Sequence, residues 1–240
     1  MSTISKITDK LLDYIFPPRC MACEDILNIS EPARFCPTCF GELQPCSYTP
    51  GEQHFSAYVY NEVAKQAVHS FKYGKNRDSG RYLGRLMAER FLLTSHTIVI
   101  LQGVDALVPV PLHEAKERER GFNQAQILAT EISKATNIPV MEAALVRTRN
   151  TEAQAGLGKS ERNQNMMGAF AQGAQPVTSK TVLIIDDVFT TGSTIQECMK
   201  ALHLSGASHS FSYTFARALS QDIGQLPHRP EDILTKDKYF

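Results

Sequence analysis

Apolar positions along this chain change period several times, and each change marks an element. Ile4, Ile7, Leu11, Leu12, Ile15 and Phe16 recur every three or four residues, which predicts an amphipathic helix stopped by Pro17 and Pro18. Residues 54–61 alternate apolar and polar side chains and predict a strand, followed by a helix over 63–71. Leu83, Leu86, Met87 and Phe91 give the next helix its apolar side. Residues 104–110 form a second apolar strand, and Pro109 and Pro111 at its end are expected to keep it from continuing a central sheet. Ala125, Leu128, Ala129 and Ile132 carry a helix that opens with Asn123 as N-cap and closes near Asn137, before a short strand around Val140. Residues 147–168 are polar and too long for an ordinary connection. Ala169 and Phe170 then open a further strand. Residues 182–185 predict a buried strand, and Ile195, Cys198, Met199 and Leu202 a helix ending at Gly206. A last strand over 209–216 is expected near a sheet edge, and the tail beyond Gln221 is expected to be weakly structured.

The 240 residues suffice for one substantial α/β core plus a small accessory module. The 25 basic and 25 acidic side chains cancel, which argues against a globally basic nucleic-acid coat and leaves local patches open. No apolar core followed by a small-residue cleavage site opens the chain, and no run approaches a membrane span. A cytoplasmic protein without stable membrane insertion is the expectation. Lys6, Asp9, Lys10 and Asp13 nearly balance on the polar face of the first helix, so that helix is expected to pack on its own protein.

Composition changes the picture most through cysteine, because five of the six precede residue 50. In a reducing compartment such clustering points to metal rather than disulfides. Cys20-x2-Cys23 and Cys36-x2-Cys39 make two ligand pairs separated by twelve residues. Each pair can close a knuckle on one tetrahedral ion, and thiolates favour a soft metal such as zinc. Pro37 pre-sets the second turn and Gly41 frees the backbone just past Cys39. Four ligands leave no open position, so the site is expected to be structural. A stretch of roughly 45 residues buries too little surface to fold alone, and the metal supplies the missing stability. A redox dithiol is the competing reading. Cys46 is expected to be a spare buried thiol, with a substitute ligand as the alternative, and His54 a loop histidine. Cys198, on the apolar side of its helix, is expected to fill core.

The densest chemistry lies in residues 180–194, K-TVLIIDD-VFT-TGST. An apolar strand ends on Asp186 and Asp187, which a buried strand would not carry unless they emerge at its C-terminal edge. Thr190, Thr191, Gly192, Ser193 and Thr194 then lead into a helix. Backbone amides at such a helix start hold anions, and the hydroxyls add donors. The two aspartates can accept hydrogen bonds from vicinal ribose hydroxyls.

Three basic stretches accompany this one. Lys72, Lys75 and Arg77 are expected in a glycine-bearing loop, with Arg81 and Arg85 one helical turn apart behind them. They read as a solvated face or as a contact for phosphate or single-stranded nucleic acid, with Tyr73 and Tyr82 as stacking or packing rings. Lys116, Arg118 and Arg120 precede Gly121; interleaved with Glu117 and Glu119, they also read as a charged helix start. Arg120 is favoured over Arg118 because Gly121 leaves room for an anion. Arg147, Arg149, Gln154, Lys159, Arg162 and Asn165 are strung through 147–168 with Gly156 and Gly158, as a substrate lid, a nucleic-acid arm or a plain loop. Arg217 ends the last strand, where a surface role is expected.

The 180–194 stretch resembles the phosphoribosyl-pyrophosphate (PRPP) signature of type I phosphoribosyltransferases: apolar strand, two acidic residues, then T-G-x-T. Together with F-K-Y-G at 71–74, the VPVPLH…RERGFNQ stretch and the double CxxC, the whole chain resembles the ComF family. Those are phosphoribosyltransferase-like proteins with an N-terminal zinc module, associated with natural transformation and use of external DNA. The resemblance implies an α/β fold of type I phosphoribosyltransferase kind, a mostly parallel sheet with flanking helices over 51–240, behind a helix and zinc module over 1–50. It implies PRPP with Mg²⁺ as ligand, and single-stranded DNA and the DNA-uptake machinery as partners. Asp186 and Asp187 would fix the ribose hydroxyls, residues 190–194 the 5′-phosphate, and Arg120 with the lid the pyrophosphate. Lys72, Arg118 and Arg162 are further ligand-binding candidates. The implied reaction is phosphoribosyl transfer, a glycosyltransferase chemistry, to an unknown acceptor; the alternative is a non-catalytic single-stranded-DNA-binding competence protein on the same scaffold. Thr190 stands where purine-salvage members of the larger group carry an aspartate that manages the base proton, so no purine acceptor is implied. Ser193 replaces a frequent glycine.

Overall fold

A computed structural model describes residues 17–27, 34–48, 51–74, 76–93, 103–149 and 166–218. The N-terminal helix, Lys75, Arg162 with most of the polar stretch, and the C-terminal tail lie outside the described residues. In chain order the elements are α1 (Pro37–Gly41), β1 (His54–Val59), α2 (Glu62–Tyr73), α3 (Arg77–Leu93), β2 (Ala106–Pro109), α4 (Glu114–Arg120), α5 (Gln124–Thr136), β3 (Leu145–Arg147), β4 (Phe170–Gln172), β5 (Thr181–Phe189), α6 (Ser193–Leu204) and β6 (His209–Arg217).

Four of the described strands make one parallel sheet in the order β1-β6-β5-β2, and β3 pairs with β4 antiparallel beside it. This is the mostly parallel α/β class expected from the sequence. Side chains on β5 alternate between faces. Leu183 and Ile185 join an apolar cluster with Val68 and Phe71 of α2, Leu83 and Met87 of α3 and Leu128 and Ile132 of α5. Val182 and Ile184 join the opposite cluster with Ile195, Cys198 and Leu202 of α6 and Phe170 of β4. Helices thus cover one face, and α6 with the β3–β4 hairpin covers the other. Cys198 is buried core, as expected.

Close approach of α3 and α5 depends on Gly84, where an added methyl would meet the Cβ of Glu131 at 2.7 Å. The central strand is tied to α3 by Tyr213, whose buried hydroxyl donates to the carbonyl of Met87 at 2.9 Å. Tyr213→Phe leaves that carbonyl unpartnered by the ring, and we expect a loss of about 1 kcal/mol in urea unfolding.

β6 lies one strand in from the edge, near it as expected: it bonds to β1 on one side and β5 on the other. Its loose alternation follows from burial on both faces, which removes the need for a polar side. β2 ends on Pro109, in register with Ile185, at the end of the four-strand order, as the proline turn predicts, and Val110 N–H, one residue on, makes the bond to Ile185. Beyond β2, Val140 adds a single parallel bridge to Leu107. His54 is not in a loop: it opens β1, half-buried, with Nδ1 3.0 Å from Ser212 Oγ and its ring 5.0 Å from that of Phe189.

Candidate active site and metal knot

The cysteine knot grows from two turns. Cys36 N-caps α1, its Sγ accepting from Cys39 N–H, and Pro37 fills the first helical position. Cys36 N–H in turn donates to Cys20 Sγ at 3.4 Å, joining the two knuckles. All four Sγ atoms of Cys20, Cys23, Cys36 and Cys39 lie within 4.8 Å of one another. Cys23 and Cys36 are 3.7 Å apart, the spacing of about 3.8 Å that tetrahedral metal–sulfur bonds of about 2.3 Å require. Burial opposes ionisation of Cys20, yet the amides of Cys23, Cys36 and Ala22 draw its thiol down to about 7. Burial and then the neighbouring Cys36, Cys23 and Cys20 push Cys39 well up. Crowded thiols of this kind ionise together only around a cation, so the residues fit a bound metal. Cys46 is outside this cluster; burial raises its thiol to about 11, as a spare buried cysteine requires.

The second site forms where β5 leaves the sheet. The strand does not stop at its acidic pair but runs on to Phe189, so Asp186 and Asp187 project from opposite faces. Asp187 follows Ile185 towards α2 and meets Lys72: Nζ lies 2.8 Å from Oδ1, with the side chains 25% and 11% exposed. Lys72 is therefore not in a loop, as expected from sequence, but in the last turn of α2. Burial works against its charge, but the Asp187 carboxylate and the hydrogen bond to it hold the ammonium's pKa above its usual value.

Asp186 follows Ile184 to the other face. Its Oδ1 accepts from Asp187 N–H at 2.8 Å. Burial, and then the charge of Asp187, push its carboxyl up to about 7, while Lys72 and Arg147 oppose the rise. Arg147 was legible only as part of the polar stretch; here it ends β3, with its guanidinium 5.4 Å from the Phe170 ring centroid. A carboxyl raised from 3.8 in the unfolded chain binds a proton in the fold that it lacks when unfolded, between about pH 4 and pH 7. Stability is then present below pH 4 and lost as pH rises through 7. Asp186→Asn is expected to flatten that slope in urea melts at stepped pH.

The turn after β5 is shaped by Gly192, at φ 78°, where a side chain would also strike the Phe189 ring at 2.8 Å. Thr191 Oγ1 and Ser193 Oγ are 2.8 Å apart, and no side chain caps the start of α6. Thr190 is exposed and Thr194 half-buried beside them. Ser193 N–H makes a long bond to Thr191 Oγ1 at 3.5 Å, and the first-turn amides that follow have no partner within the helix, as suits an anion.

The remaining candidates divide. Arg120 ends α4, donates from Nη1 to Gln124 Oε1 at 2.9 Å, and lies 5.7 Å from the Tyr73 ring centroid. Tyr73 follows Lys72 in the last turn of α2, so this contact brings Arg120 to the Lys72 end of that helix. Arg118 instead pairs with Glu114 one turn back at 3.3 Å, both strongly exposed. Residues 116–120 do lie on a charged helix, closed by Gly121 at φ 79°. Arg77 opens α3 and donates to Gly121 carbonyl at 2.7 Å, and Arg81 pairs with Asp78. Arg217 donates to His54 carbonyl and pairs with Glu52 at 3.5 Å, packed beside Phe189.

A parallel α/β sheet with a four-cysteine knot and an acidic strand end facing an open helix start defines the class. Residues 11–50 match the double zinc ribbon domain. The chain is 32% identical over 163 residues to Competence protein F of Haemophilus influenzae, covering 66% of this chain and 70% of that protein. It is 32% identical over 170 residues to DNA utilization protein YhgH of Escherichia coli, covering 71% and 74%. The chain belongs to this ComF family of competence and DNA-utilisation proteins. Among solved structures it is similar to glutamine PRPP amidotransferase from Bacillus subtilis, at 18% identity, TM-score 0.39, and coverage of 60% of this chain and 29% of that one. Among the described residues, no helix is long and apolar enough to cross a membrane.

Proposed function

We propose that this chain is a phosphoribosyltransferase-like protein of DNA utilisation, which binds PRPP at the C-terminal edge of its sheet and transfers the phosphoribosyl group to an acceptor in the cytoplasm. One observation carries the reading: β5 brings a carboxylate to each face of the sheet and passes through a glycine turn into an uncapped helix start. The amides and hydroxyls of residues 191–194 supply donors for the 5′-phosphate. Asp187, paired with Lys72 at 2.8 Å, accepts from a ribose hydroxyl through its remaining oxygen capacity. Lys72 and Arg120 are the cations for a departing pyrophosphate, whose charge the site must meet as the bond to ribose breaks. The two carboxylates diverge and cannot chelate one ion together, so Mg²⁺ would be held mostly by phosphate and hydroxyl oxygens. When bound, it neutralises diphosphate charge. The four-thiol knot would hold a structural zinc.

Calorimetric titration with PRPP and Mg²⁺ tests this. Micromolar binding that disappears in the Asp186→Asn/Asp187→Asn variant, followed by pyrophosphate release with some acceptor, is the expected result. A folded, metal-loaded protein that binds no PRPP overturns the reading, and salt-sensitive binding of single-stranded DNA then becomes the leading function.

A further inference from the structure

Arg118 and Arg120 share α4 but are held in different ways. Arg118 pairs with the carboxylate of Glu114, which offsets its charge. Arg120 bonds to the neutral amide of Gln124 and lies against the Tyr73 ring, contacts that hold a guanidinium without offsetting it. Gln124 is the first residue of α5 and only 2% exposed, although glutamine is mostly a surface residue. Its Oε1 accepts from Arg120 Nη1 at 2.9 Å, while its Nε2 is buried with no hydrogen-bond partner among the described residues. Turning the amide over would set Nε2–H against an arginine that has only donors. The bond to Arg120 therefore fixes the amide, and the stranded donor follows from that orientation. A methionine of similar length would fill the space and strand nothing. An unsatisfied polar group inside a fold calls for a reason, and here the reason is the acceptor that Gln124 turns to Arg120.

The backbone beneath Gln124 is pinned from several directions. Asn123 caps α5 by accepting from Ala125 N–H, and its Nδ2 donates to the Val110 carbonyl at 3.0 Å, tying the helix start to the residue after β2. Arg77, at the start of α3, donates to the Gly121 carbonyl at 2.7 Å and lies over the Phe122 ring. Phe122 stacks on Phe71 with centroids 5.7 Å apart, and Phe71 precedes Lys72 in α2. One braced turn thus carries Gln124 and also packs against the helix end that holds Lys72.

We propose that Gln124 is a positioning residue for Arg120, presenting its guanidinium, with the charge intact, to the diphosphate beside Lys72. The inference rests on the phosphoribosyl-transfer reading of the sheet edge and deepens it. A long arginine side chain at a helix end otherwise spreads into water and gives up its rotamer freedom when a ligand binds. Held by Oε1 and by Tyr73, Arg120 has spent one N–H of its fork and keeps the others, so its ordering precedes the ligand. A carboxylate in place of the amide would hold it as well and cancel the charge that a leaving diphosphate needs. An apolar side chain would leave it unheld. Because Nε2 is sealed from solvent, Gln124 does not meet the ligand itself, and its effect passes through Arg120.

Calorimetric titration of the full, metal-loaded chain with Mg²⁺ and either pyrophosphate or ribose 5-phosphate tests the role, with PRPP as the reference ligand. Gln124→Met is expected to weaken pyrophosphate about tenfold, the scale of one hydrogen bond, and to leave ribose 5-phosphate unchanged. Its midpoint in urea should stay the same or rise, because the stranded donor is gone. In an Arg120→Ala background the same substitution should make no further difference to pyrophosphate. Loss of both ligands together, with a lower urea midpoint, would make Gln124 a support of the fold alone and overturns the inference. A further loss of pyrophosphate in the Arg120→Ala background overturns it as well, since Gln124 would then act independently of Arg120. Native pyrophosphate affinity in Gln124→Met overturns the inference and leaves the transfer reading standing while PRPP still binds. Native protein that binds neither PRPP nor pyrophosphate removes the transfer reading, and the role of Gln124 with it.

Discussion

Lys72→Ala is expected to destabilise the protein by roughly 3 kcal/mol, Asp187→Ala by a similar amount, and the double variant by far less than their sum. The pair is tight, at 2.8 Å, and both side chains are largely withdrawn from water. Asp187 shares the face of β5 that carries Leu183 and Ile185, packed under the helices. Cutting Lys72 strands a carboxylate there, and cutting Asp187 strands an ammonium at the end of α2. Removing both strands neither. Urea unfolding of the four proteins measures the coupling. Costs that simply add would mean that water already screens the pair and that the two groups are independent.

That coupling also shows what the sequence could and could not reveal. Residues 182–185 and the helix after Gly192 were legible because an apolar run and a 3.6-residue period are local signals. The two aspartates were read as the end of the strand, since carboxylates rarely sit inside one. The strand continues to Phe189 because Lys72, remote in sequence, neutralises Asp187 within it. Lys72 itself looked like loop because Gly74 follows it closely, yet a basic last turn with glycine at its cap is how a helix ends. Arg147 carries no local mark of its place near Asp186; only the pairing of β3 with β4 and its packing beside β5 bring it there. The cysteine knot was fully legible, because ligand type and spacing are themselves the constraint.

Removing the metal is expected to have the largest effect of all, and to reach beyond the knot. Zinc analysis should find about one ion per chain in native protein. Cys39→Ser or a chelator should lower this to near zero and abolish amide protection over residues 20–27 and 34–46. Cys20, Met21, Phe35, Cys39 and Leu43 belong to the same apolar cluster as Phe55, Tyr58, Leu83 and Met87. The segment also bonds directly to β1, through Cys46 N–H to Ala57 and Val59 N–H to Gln44. Loss of the knot therefore exposes the edge of β1 and part of α3, and we expect at least about 5 kcal/mol of destabilisation, a share of the roughly 10–16 kcal/mol that structural zinc supplies in isolated fingers. Cys46→Ser, equally buried but outside the ligand set, should keep the metal and the protection pattern. Metal-free protein with unchanged protection over 20–27 and 34–46 would show that packing on Phe55 and Tyr58 holds these residues without the ion. The four thiols would then be free for redox chemistry, the reading their closed, crowded geometry otherwise disfavours.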